Sequence, residues 1–179
     1  MRYLKLYETF IQTDSEIHKL CKKYKIKNYT INNGLVDVDG NVDLSDKKLS
    51  KLPVKFGNIN GDFNCHYNQL TSLVGCPKEV GGDFNCSSNN IYRLDFVPNY
   101  TEGFYIKDNP FFNVWKLIED SIEKDYTLFN HFIENNIFRD PGYQGDDSGL
   151  PIIILDRLND FLDMCKLPNV EEVDGYTCI

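Results

Sequence analysis

The chain has 179 residues, with 19 Lys plus Arg against 27 Asp plus Glu, a formal net charge of −8. Its length and 41% hydrophobic content fit one modest domain able to bury a core. The acidic balance argues against a broad nucleic-acid-binding face, and the densest apolar run, Leu150 to Leu155, is too short to cross a bilayer.

At the N-terminus, Lys5 and Glu8 interrupt the apolar pattern of Met1 to Ile11 and no small-residue cleavage site follows, so the reading is an intracellular protein without a secretory signal. Tyr3, Leu6, Tyr7, Phe10 and Ile11 fall on one helical face. Asp14 or Ser15 is placed to cap a second helix carrying Ile17, Leu20, Cys21 and Tyr24. Tyr29 to Asn32 and Leu35 to Val38 flank Asn33-Gly34, a hairpin-turn signal. Residues 1–39 therefore read as an N-terminal cap of two helices and a hairpin.

The strongest signal follows. Gly61-Asp62-Phe63-Asn64-Cys65 returns as Gly82-Asp83-Phe84-Asn85-Cys86, a shift of 21 residues. Counted from Gly40, Gly61, Gly82 and Glu102, offset two is Val42, Phe63, Phe84 and Phe104, and offset four is Leu44, Cys65, Cys86 and Ile106. Offset nine is Leu49, Leu70, Ile91 and Phe111, and offset twelve is Leu52, Leu73, Leu94 and Val114. Offsets two and four share one side of an extended segment, so they point inward. Offset seven is Lys47, Asn68, Asn89 and Asn109, where a buried amide can satisfy loop backbone groups that have no strand partner. Residues 40–112 thus read as about four coils of 20–21 residues that stack a small parallel sheet, each coil burying its core against its neighbours.

The spacing Phe63-x-Cys65-x-x-Asn68-x-Leu70-x-x-Leu73 resembles a leucine-rich repeat, and Asn68-Gln69-Leu70-Thr71-Ser72-Leu73 is similar to the short repeats of bacterial leucine-rich-repeat effectors. Leu73-Val74-Gly75-Cys76-Pro77-Lys78-Glu79-Val80-Gly81-Gly82-Asp83-Phe84 more closely resembles a unit of small leucine-rich-repeat-like proteins of large tailed bacteriophages, a family of unknown function. The resemblance covers roughly residues 29–118, and loosely Ile152 to Leu162. It implies an α/β fold, a short solenoid with α-helical caps, and a phage protein acting in the host cytoplasm. The effector resemblance does not extend to a ubiquitin ligase, because too little chain follows Phe111 and no matching cysteine motif is present.

Residues 113–179 read as a helical, acidic C-terminal cap. Val114, Leu117, Ile118 and Ile122 form one stripe, and Leu128, Phe129, Phe132 and Ile133 another. Pro151 is placed to start a helix with Ile154, Leu155, Leu158, Phe161, Leu162 and Cys165 inward, after a polar loop from Arg139 to Gly149. Residues 1–60 hold 11 basic and 7 acidic side chains, whereas residues 111–179 hold 5 and 14. The acid therefore concentrates near the C-terminus, as a solvated face or as a docking surface at Asp146, Asp147, Asp160 and Asp163.

No phosphate loop, dinucleotide fingerprint, zinc-protease motif or nucleophile elbow occurs, so the expectation is a non-enzyme with no cofactor. His18 and His131 lie on helical patterns and read as packing or surface residues. Cys65 and Cys86 occupy an apolar column and read as small hydrophobes, with no metal site. The outward strand positions form a polar, mildly acidic face, and the candidate partner-binding residues are Asp62, Asn64, His66, Tyr67, Asp83, Asn85, Tyr105 and Lys107.

The functional expectation is a protein–protein interaction module that binds or inhibits a host or defence protein, or another phage protein, without direct contact to nucleic acid or membrane. The alternative is a capsid-packaged internal virion protein delivered with the genome. Tyr3-Leu4-Lys5-Leu6-Tyr7-Glu8-Thr9-Phe10-Ile11 resembles a capsid-targeting segment, and Leu6-Tyr7-Glu8 has the form of a prohead-protease site.

Overall fold

The computed structural model describes residues 12–99, 101–125, 128, 131–132, 137–139 and 148–179. Over these residues the protein is a mixed α/β fold of three helices and three small sheets, none closed into a barrel. The helix expected over Tyr3 to Ile11, with the capsid-targeting resemblance it overlaps, lies outside the described residues, as do Phe129, Ile133 and most of the 139–149 loop. Chain contacts divide the protein into two units: Met1–Asn89 with Phe96–Ile106, and Asn90–Asp95 with Lys107–Ile179.

Among the described residues the first element of the first unit is α1 (Asp14–Lys23), whose cap is Thr13 rather than Asp14 or Ser15. The spacing explains the choice: the Thr13 hydroxyl accepts the Glu16 N–H, and the Glu16 carboxylate accepts the Thr13 N–H at 2.8 Å, a reciprocal pair that neither later residue can make. Those bonds hold the Glu16 carboxyl below its usual range, the bond from the Thr13 backbone most of all. Ile17 and Cys21 are the residues of α1 with no exposed surface.

The hairpin forms as Asn33-Gly34 requires. β1 (Tyr29–Asn32) and β2 (Leu35–Val38) pair antiparallel, and both turn residues take positive φ, 52° and 75°. β2 then does more than lead into the repeats. It pairs in parallel with β4 (Phe56–Ile59), which pairs in parallel with β6 (Glu79–Val80), so Val38, Ile59 and Val80 come into register. This first sheet went unseen in the sequence, although the same 21-residue interval separates those three residues.

Just past each of these strands the chain turns at Gly40, Gly61 or Gly82 into the second sheet, the one anticipated from the repeat. β3 (Val42–Asp43), β5 (Phe63–Asn64), β7 (Asp83–Asn85) and β8 (Gly103–Tyr105) pair in parallel, with Val42, Phe63, Phe84 and Phe104 in one row. Inside this row the Phe63 and Phe84 rings stack at 5.7 Å and Phe84 and Phe104 at 5.8 Å, while Phe56 meets Phe63 edge-on at 5.0 Å. Of the sixteen repeat positions expected inward, all are buried except Phe104, which is half-buried.

The strands are short because the residue after offset five turns left-handed in each repeat: Asp46, Tyr67, Ser88 and Asp108 have φ of 50°, 51°, 54° and 56°. The next residue ties the kink down. Asn68 Oδ1 accepts the N–H groups of Lys47 and Leu49, and its Nδ2 donates to the Leu44 and Cys65 carbonyls, spanning two repeats from a buried position. Asn89 repeats the pattern, accepting from Leu70 and donating to Cys65 and Cys86.

In the second unit Asn109 accepts the Ile91 N–H in the same way. Helix α2 (Phe112–Lys124) buries Val114, Ile118 and Ile122. Pro151 does not start a helix. Ile152 and Ile153 form β10, flanked by β9 (Phe138–Arg139, antiparallel) and β11 (Thr177–Cys178, parallel), and helix α3 (Leu155–Met164) begins afterwards. Buried on both sides, a β-branched Ile-Ile pair packs better in the middle of a sheet than in a helical first turn. Phe111, Phe132, Phe138 and Phe161 form the aromatic core of this unit, with Phe132 and Phe161 edge-on at 5.0 Å.

Candidate functional site

The outward row at offset one is Asn41, Asp62 and Asp83, and the structure shows much of it at work inside the fold. Asn41 Oδ1 accepts the Asp62 N–H and Asp62 Oδ1 accepts the Asp83 N–H, both at 3.0 Å, so each side chain holds the start of the next strand. The Asn41 amide also donates to Asp62 Oδ2 at 3.2 Å. This ladder accounts for the Gly-Asp pairs of the repeat. A Cβ on Gly61 would stand 2.0 Å from Asn41 Oδ1, and one on Gly82 would stand 2.2 Å from Asp62 Oδ1. Glycine is there because the preceding repeat's side chain lies across it.

The row at offset three is Asp43, Asn64 and Asn85. Each side-chain oxygen accepts the N–H two residues ahead, on Ser45, His66 and Ser87, at 2.9, 3.2 and 3.0 Å. These bonds close the strand ends as side-chain turns. Asp43 also accepts the Ser45 hydroxyl at 2.6 Å, and the Ser45 contacts hold its carboxyl below the usual aspartate range. The Asn64 carbonyl oxygen meets His66 Nδ1 in a short contact as well.

The last repeat breaks both rows. Offset one is Gly103, and Tyr105 stands where the earlier strands carry an Asp or Asn. The ring of Tyr105 leans across the bare Gly103, its Cε2 3.0 Å from where a Cβ would be, with Asp83 Oδ1 2.4 Å from the same point. A shallow cavity of about 260 Å³ results, lined by Asp62, Phe63, Asn64, Asp83, Asn85 and Tyr105. Five of the eight residues singled out in the sequence therefore converge on one place.

The other three do not line it. His66 and Tyr67 form an edge-to-face ring pair at 4.9 Å where β5 ends, and Lys107 is exposed and belongs to the second unit. Tyr67 is 64% exposed and Tyr105 49%. Tyr67 is the odd member of its column: the equivalent left-handed positions hold Asp46, Ser88 and Asp108, small polar residues that bear such a backbone more easily than a tyrosine.

The thiols play no part in this face. Cys65, Cys76 and Cys86 are buried, burial drives all three thiols up, and Cys65 is pushed up to about 12. None of the six cysteines is in a disulfide. Among the described residues no three His, Cys, Asp or Glu side chains converge to hold a metal ion, and no helix is long and apolar enough to cross a membrane.

Sequence reasoning identified the face but missed which of its groups are already committed to the fold. The signal was present in the Gly-Asp pairs, which mark a side chain from the neighbouring repeat resting on each glycine. No family model matches the chain, and neither a curated protein nor a solved structure matches it.

Proposed function

We propose that the chain is a non-enzymatic protein–protein interaction module of leucine-rich-repeat-like build, and that it recognises its partner through the outward face of the second sheet. The observation that carries this reading is the pair of exposed tyrosines, Tyr67 just past β5 and Tyr105 on β8 beside Asp83, next to strands whose polar rows are locked by side-chain bonds. A face held rigid in this way presents aromatic contact area at small entropic cost. Tyr67 keeps a backbone conformation unfavourable to its side chain, which fits retention for contact rather than for folding.

The phage setting rests on the resemblance of residues 73–84, and it points to a host or defence protein, or another phage protein, met in the host cytoplasm. Affinity capture from infected cells tests the reading, with the wild-type chain run beside Tyr67→Ala, Tyr105→Ala and a charge-reversed Asp160→Lys, Asp163→Lys chain. Loss of the captured protein in the tyrosine variants alone supports the sheet face. Loss only on charge reversal moves the site to the acidic C-terminal segment and overturns it. A chain found inside purified particles and capturing nothing would return the packaged-protein reading.

A further inference from the structure

We propose that the cavity lined by Asp83 and Tyr105 receives an arginine side chain from a basic segment of the partner polypeptide, stacked on the Tyr105 ring and paired with Asp83. The inference rests on the sheet-face reading and narrows it to one occupant.

Three features lead there. The first is the arrangement at Gly103: Cε2 of the Tyr105 ring and Oδ1 of Asp83 lie 3.0 Å and 2.4 Å from the point a Cβ would occupy, so ring and carboxylate sit side by side. A planar cation is the group that uses both at once, its face on the ring and its N–H fork on the carboxylate. The second is charge. Asp62 and Asp83 bring two carboxylates to the lining and no Lys or Arg belongs to it. Asp62 is occupied by the Asp83 N–H and the Asn41 amide, whereas the Asp83 carboxylate accepts no hydrogen bond and enters no ion pair among the described residues. The third is size. About 260 Å³ is below the ~300–1,000 Å³ usual for small-molecule pockets and suits one long side chain.

Arginine is favoured over lysine because an ammonium cannot lie flat on the ring while forking to a carboxylate. Asn64 and Asn85 spend an oxygen each on the His66 and Ser87 N–H groups, and both residues line the cavity beside Asp83 and Tyr105.

The test is an NMR titration of the full isotope-labelled chain with three capped peptides, identical except for Arg, Lys or citrulline at two central positions. The expected result is saturable shifts confined to residues 62–64, 83–85 and 103–105 with the Arg peptide, several-fold weaker binding with Lys, and none with the uncharged citrulline. Asp83→Asn and Tyr105→Leu should each weaken the Arg peptide at least ten-fold with the remaining spectrum unchanged. Tyr105 is half exposed, so its variant keeps the test valid if Asp83→Asn misfolds. Equal shifts with Arg and citrulline, no saturation, or shifts centred on the acidic residues 156–174 would overturn the proposal. If the Arg peptide fails while partner capture still depends on Tyr105, the arginine inference falls and the sheet-face reading stands. Capture indifferent to Tyr67 and Tyr105 removes that reading instead.

Discussion

At Tyr67 the proposed partner contact is set against a left-handed backbone. Its φ of 51° presses a Cβ against the backbone, and the residues at the same position in other repeats are Asp46, Ser88 and Asp108. Replacing it with Asn, which tolerates the left-handed region, should raise stability by up to about 1 kcal/mol while weakening partner capture. Chemical denaturation measures the first effect, and a stability that drops with Tyr67→Asn would remove the case for strain. At the thiols, burial and raised pKa values keep Cys65, Cys76 and Cys86 protonated and shielded, so they should resist a thiol reagent in the native state. Cys165 and Cys178, partly exposed, should react first. Rapid labelling of Cys65 at neutral pH would contradict the packing described for the second sheet.

Between neighbouring repeats the ladder of Asx side chains and glycines is the coupling device. Gly82→Ala places a methyl against Asp62 Oδ1, and the backbone atoms beneath lie no closer than 3.2 Å, so the clash is chiefly with one side chain. It should cost about 1–3 kcal/mol, and at least half of that should vanish in an Asp62→Ala background. Additive costs in that cycle would show that the two residues do not touch as described. The core column gives a companion test. Leu73, fully buried, should lose about 2–5 kcal/mol on truncation to Ala. Thr71 is exposed and is a better control than Ser72, whose hydroxyl accepts the Val74 N–H at 3.2 Å; Thr71→Ala should cost less than about 0.5 kcal/mol.

Across the molecule, stability should fall at both ends of the pH scale, for different reasons. The Asp43 and Glu16 carboxyls are held low, so the stability they lend is present above the ordinary carboxylate range near pH 4 and is lost as acid titrates them in the folded state. The buried thiols are held high, so their share is intact below the unfolded thiol value of about 8.5 and disappears as pH rises from there. For Cys65 the loss runs up to about 12. Denaturant midpoints measured from pH 3 to 11 should trace that dome, and Cys65→Val should flatten its alkaline limb. An alkaline limb unchanged in the variant would assign it to Cys76 and Cys86 or to the tyrosines, of which Tyr176 is pushed up by burial in the second unit.

The sequence alone determined the 21-residue register, the inward columns and the amide after three of the four strands, because those repeats meet the same local problem and solve it with the same residue types. The hairpin was legible for a similar reason: Asn33-Gly34 supports a turn that few other pairs allow. Tertiary structure alone decided that β2 belongs to a parallel sheet, since its partners β4 and β6 are two to four residues long and carry no strand pattern of their own. The same holds for Ile152 and Ile153, an apolar pair whose strand identity comes from Phe138–Arg139 and Thr177–Cys178 on either side. The candidate site divides along the same line. Its residue types could be read in order, but whether a carboxylate is spent on the next strand's N–H, like Asp62, or stands open beside a tyrosine ring, like Asp83, depends on what the neighbouring repeat places next to it.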